Sequence, residues 1–215
     1  MFVYKYIHFN PIVKTTANAT KRALDWSRNK GGFIRSKDAT AAGIHTRTIA
    51  KLKKEGKLEL LSRGTYRVKS EKTLSDPDLI TVALAVPNAV ICLVSALSFH
   101  RLTTQIPHEV SFALPEKSRS PRLSYPLIKV HRFRGKAYED GIETHKIDNV
   151  HVKIYNPEKT LADIFKFRNK IGLDIFLEAL KMYRSRKRIN TALMLKYARI
   201  CRVEKQIRPY LEAVV

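Results

Sequence analysis

Cysteine is nearly missing from this 215-residue chain, which holds only Cys92 and Cys201. One lies in an apolar run and the other in a basic segment, which excludes a disulfide scaffold and a Cys-based zinc site and makes a reducing cytoplasm the expected compartment. Acidic residues are also scarce, with 19 Asp+Glu against 41 Lys+Arg and a formal net charge of +22. Residues 79–99 carry no charge, but Pro87-Asn88 divides them into pieces too short to span a bilayer, so buried core elements are expected there and no membrane partner. The first residues have no basic leader, and Lys5, His8, Asn10 and Pro11 interrupt any signal-peptide core. No glycine-rich phosphate loop occurs and no serine sits in a nucleophile elbow.

What remains is a chain that is 44% hydrophobic, enough for one or two packed cores, with a strong cationic excess. A wholly disordered tail is thereby excluded, and a polyanion is the first partner to consider. Residues 1–70 hold 16 Lys+Arg and 4 Asp+Glu, a net of +12, while residues 71–215 hold 25 and 15, a net of +10. One third of the chain thus carries more than half of the excess. The charge step and the linker-like composition of residues 69–77 predict two domains, at 14–70 and 74–215.

The first of these reads as a winged helix-turn-helix. An amphipathic helix is expected over 16–29, and Phe33-Ile34 can enter the core behind it. Ser36 is an expected N-cap for a second helix over 37–42, which Gly43 ends by supplying a positive φ. A third helix is expected over 46–55. At 100° per residue, Ile49 and Leu52 set its buried direction and turn Arg47, Ala50, Lys51 and Lys54 to the opposite face, the one a major groove would meet.

The candidate DNA-binding residues on this helix are Thr46, Arg47, Lys51, Lys53 and Lys54. Arg47 in the first turn suits the O6 and N7 of guanine, whereas the lysines suit phosphates. Strand-like runs at 58–61 and 65–68 flank Ser62-Arg63-Gly64 and complete a hairpin wing. Arg63 at its tip and Arg67 on its returning strand are further candidates for phosphate or minor-groove contact, with Tyr66 and Val68 alternating toward the core.

The remainder reads as a mixed α/β domain with a small sheet and several C-terminal helices, so the whole chain is α+β. Helices are expected from Asp76-Pro77 and from Asn156-Pro157, and strands over 109–114, 128–133, 142–147 and 150–155. No catalytic residue is assigned. Asp140 and Glu143 flank a turn glycine, and His131, His145 and His151 lie on separate strands without a completing ligand set; no metal and no cofactor are expected. A winged-helix-targeted nuclease or nucleotidyltransferase-like enzyme is the alternative resting on these residues. The run Lys181, Arg184, Arg186, Lys187 and Arg188 is an accessory basic patch, either solvated or able to meet DNA or an acidic protein.

The peptides Ser36-Lys-Asp-Ala-Thr-Ala-Ala-Gly-Ile44, Leu52-Lys-Lys-Glu-Gly-Lys-Leu58 and Arg63-Gly-Thr-Tyr66, with residues 155–174 and Arg208-Pro-Tyr-Leu-Glu-Ala213, resemble the AbiE-type antitoxins. These are the regulator halves of bacterial abortive-infection, type IV toxin–antitoxin pairs. The resemblance implies a winged-helix domain that represses its own operon at inverted repeats in double-stranded DNA. It further implies a C-terminal domain that supports cooperative binding and counteracts a nucleotidyltransferase-like toxin without a stable complex. A monomer or a dimer assembled on DNA satisfies the symmetry of such a site.

Overall fold

The computed structural model describes residues 11–69, 74–186 and 190–213, with side chains from Asn18 onward apart from that of Arg186. The chain divides into two compact units, residues 1–73 and 74–215. It is α+β, with helices and a separate β-sheet in each unit.

The first unit runs α1 (Pro11–Arg28), β1 (Phe33–Arg35), α2 (Ser36–Ala41), α3 (Thr46–Lys54), β2 (Leu58–Ser62) and β3 (Thr65–Val68). Its core is one cluster of Ala23, Ile34, Ala39, Ile44, Ile49, Leu52 and Leu58, edged by Leu24, Trp26, Tyr66 and Val68. The hairpin is a three-stranded sheet in the order β1-β3-β2, because Phe33 to Arg35 pair with Arg67 to Thr65. Ser36 is the first residue of α2 and does not cap it. Its backbone N–H donates to the Gly64 carbonyl at 2.7 Å, so the strand runs straight into the helix and the wing tip holds the junction.

The second unit contains α4 (Pro77–Ala85), β4 (Val90–Ile91), α5 (Leu93–Phe99), β5 (Val110–Pro115), β6 (Ile128–Phe133), α6 (Lys136–Glu139), β7 (Ile142–Ile147) and β8 (Val150–Tyr155). It ends with α7 (Pro157–Lys166), α8 (Arg168–Ile171), α9 (Leu173–Arg186), α10 (Thr191–Ile200) and α11 (Glu204–Glu212). The sheet order is β6-β5-β4-β8-β7, with β4 parallel to β8, β5 parallel to β6, and antiparallel pairs between β4 and β5 and between β7 and β8. The uncharged stretch of residues 79–99 is α4, β4 and α5. Val90 and Cys92 face the core formed with α7, α9, α10 and α11, while Ile91 between them, opposite Phe112 and Ile154, faces the other side, where α4 packs on β8.

Local chemistry sets the helix starts. The Asp76 carboxylate accepts from the Leu79 N–H at 3.1 Å, and the Asn156 side-chain oxygen accepts from the Lys159 N–H at 2.9 Å, each with proline following in the first turn. The β7–β8 hairpin turns on Asp148 and Asn149 at φ 44° and 69°, the left-handed pair that a tight two-residue hairpin requires.

α7 is enclosed by α5, α9 and α10, so its polar side chains are buried with its apolar ones. The Lys159 ammonium donates to Asp163 Oδ2 at 2.5 Å and lies 4.4 Å from the centre of the Tyr155 ring. Burial, and then the Asp163 charge, push the Cys201 thiol up to about 12. It therefore stays protonated and donates to Asp163 Oδ1 at 3.1 Å.

Candidate nucleic-acid interface

α2 ends on a left-handed glycine that sets the angle to α3. The Ile44 N–H reaches the Ala39 carbonyl at 2.8 Å and the Gly43 N–H reaches that of Thr40 at 3.0 Å, the paired bonds of a Schellman turn, with Ile44 and Ala39 both buried. Arg22 of α1 locks the same turn by donating from Nη2 to the Gly43 carbonyl at 3.0 Å. Sequence reading overlooked Arg22 because one arginine on a basic helix carries no distinguishing pattern.

A Cβ at Gly43 would stand 3.1 Å from Arg22 Nη2 on a backbone at φ +74°. Gly43→Ala is therefore expected to cost the first unit about 1–2 kcal/mol. Urea unfolding followed by the fluorescence of Trp26, the single tryptophan, measures this; an unchanged midpoint would show that the turn relaxes.

α3 presents the geometry that its period implies. Ile49 and Leu52 are buried, while Thr46, Arg47, Ala50, Lys51 and Lys54 are exposed. Lys53 is exposed on the flank, about 70° from the buried direction. The lysines of the last turn lie where the helix dipole favours cations. They are not equivalent: Lys51 lies 3.8 Å from Glu55, which Lys57 also holds at 2.8 Å. These contacts, with the Lys57 hydrogen bond first, hold the Glu55 carboxyl below its usual range. Among the described residues, Arg47, Lys53 and Lys54 make no ion pair.

The wing separates its two arginines. Arg63 is exposed at the tip, whereas the Arg67 side chain is 15% exposed and bonded to Glu59 at 3.2 Å. The reason is register, since Glu59 stands opposite Arg67 in the β2–β3 pair and opposite residues share a face.

In the second unit, Asp140 is ion-paired to Lys196 at 3.3 Å, and the Glu143 carboxylate lies 3.2 Å from His145 Nε2, so these acids turn to different partners. His131 lies on β6, at the opposite edge of the sheet from His145 on β7, and His151 on β8 is exposed. Among the described residues, no group of three or more His, Cys, Asp and Glu is placed to hold a metal ion, and no helix is long and apolar enough to cross a membrane. Lys181 and Arg184 of the accessory patch are exposed on α9, while Lys187, Arg188 and the Arg186 side chain lie outside the described residues, as do residues 1–10 and 70–73.

A second cationic tract was missed. Residues 116–136 hold seven Lys and Arg against Glu116 alone, and all seven are exposed. Arg134 lies 3.7 Å from Glu116 and Lys129 2.9 Å from Glu109, leaving Lys117, Arg119, Arg122, Arg132 and Lys136 without an ion pair among the described residues. A charge count over this window discloses it, whereas the strand period of 128–133 does not.

No curated protein matches the chain. Residues 21–69, from the middle of α1 through the wing, match the family described as "Transcriptional regulator, AbiEi antitoxin", so over this segment the chain is similar to the AbiE-type antitoxin regulators.

Proposed function

We propose that the protein represses transcription of its own toxin–antitoxin operon, laying α3 in the major groove of an inverted-repeat operator, and that the second unit counteracts a nucleotidyltransferase-like toxin without a stable complex. The observation that carries the DNA-binding half is the exposed face of α3, where Arg47 and Lys54 stand directly opposite buried Ile49 and Leu52. In this reading Arg47 and Thr46 face base edges, Lys51, Lys53 and Lys54 face phosphates, and Arg63 reaches the backbone from the wing. Arg67 acts chiefly by holding the hairpin through Glu59. The tract at 117–136 supplies sequence-independent affinity through phosphate neutralisation.

The toxin-directed half rests on the similarity of residues 21–69 to the regulator family alone. Two winged helices, joined beforehand or meeting on DNA, fill the two half-sites.

Gel shifts on the DNA upstream of its own operon, against a random duplex at physiological salt, test the repressor reading. Specific retardation of the upstream fragment is expected, and equal affinity for both duplexes would overturn the reading.

A further inference from the structure

A cleft of about 470 Å³ opens at the β5–β6 end of the second unit's sheet. Leu93 and Val94 of α5, Phe167, and Ile171 of α8 give it apolar walls. Ile106 stands at its rim, 83% exposed. A volume of this size lies within the range of small-molecule sites. Leu93 occupies the left-handed region at φ 50° while being 2% exposed, so the wall is held by packing in a conformation that non-glycine residues rarely adopt.

Polar groups in the lining favour an anion. Ser111 pairs with Lys129 and Ala113 with His131 across β5 and β6, so Ser111, Lys129 and His131 stand on one sheet face. His131 Nε2 lies 3.4 Å from Ser111 Oγ, too far for a strong hydrogen bond, which leaves both groups with capacity for a ligand. Burial first, and then the Lys129 cation, hold the His131 imidazole below the usual histidine range, so it is neutral at pH 7. Lys129 is matched by Glu109 at 2.9 Å, whereas Lys170 makes no ion pair among the described residues. The lining therefore includes one unmatched ammonium, a hydroxyl and a neutral imidazole, with an aromatic wall in which Phe167 meets His131 edge-on at 5.9 Å.

We propose that this cleft binds a small aromatic carboxylate, its ring against Phe167 and Val94 and its carboxylate received by Lys170 with Ser111 and His131. An aromatic ring matches the apolar walls, and the carboxylate replaces its lost hydration with a charge-assisted contact and neutral donors. The site lies wholly within the second unit, so it stands or falls independently of the DNA-binding reading.

The test is a titration of the full chain with 2-naphthoate and with the uncharged 2-naphthamide, followed by backbone amide NMR. Naphthoate is expected to give saturable one-to-one shifts at Ser111, at His131 and from Phe167 to Ile171, and to bind about tenfold more tightly than the amide. Lys170→Ala, at an exposed position, is expected to erase that preference while leaving the rest of the spectrum in place. Ile171→Trp is expected to fill the cleft and abolish binding of both compounds. Absence of saturable shifts with naphthoate, equal affinity for the two compounds, or an unchanged preference in Lys170→Ala would overturn the proposal.

Discussion

Asp163→Ala is expected to destabilise the second unit by about 3–5 kcal/mol, because it leaves the Lys159 ammonium buried without a counter-charge. Lys159 is 0% and Asp163 1% exposed, so water cannot reach the orphaned charge without opening the packing around α7. The change also takes the acceptor from the Cys201 thiol. Gly141 leaves little room for rearrangement, since a Cβ there would already stand 2.8 Å from Lys159 Cβ. The double variant Lys159→Met, Asp163→Leu is expected to lose much less, because replacing both charges leaves neither uncompensated. Urea unfolding followed by circular dichroism reports the loss, and Trp26 fluorescence separately follows the first unit. A loss below about 1 kcal/mol for Asp163→Ala would mean that the ammonium finds another partner or water.

That ion pair marks a boundary of what the sequence discloses. A Lys and an Asp four residues apart on an amphipathic helix have the spacing of a solvated surface pair. Only enclosure by α5, α9 and α10 buries them, and those packings join residues far apart in the chain. By contrast, β8 alternates buried and exposed residues from Val150 to Ile154, and α3 shows its buried direction through Ile49 and Leu52, because local period reports burial directly. β1 spans three residues, too few to display a period, and its pairing with β3 made a two-stranded wing into a sheet of three. The Glu59–Arg67 contact was hidden for a related reason. It depends on the β2–β3 register, which shifts between Leu60 and Ser62. Alternation places Arg67 on a face but does not name the residue beside it.

Arg47→Ala is expected to weaken binding to the operator by about 1–3 kcal/mol while changing affinity for a random duplex much less. Arg47 lies in the first turn of α3, is exposed, and makes no ion pair among the described residues, so its guanidinium can present two parallel donors to a guanine edge. Lys54 lies on the same exposed face but at the far end of the helix. Lys54→Ala is expected to weaken operator and random duplex alike and to reduce the salt dependence of binding by about one counterion. Lys51→Ala should do less than Lys54→Ala, because Glu55 at 3.8 Å already offsets part of its charge. Affinities for operator, random duplex and single-base operator variants, measured over a range of salt concentrations, separate these roles. Base readout by Arg47 requires that its loss flatten the preference at one operator position; a uniform decrease across all sequences would reassign it to the phosphates and move specificity elsewhere on α3 or to the wing.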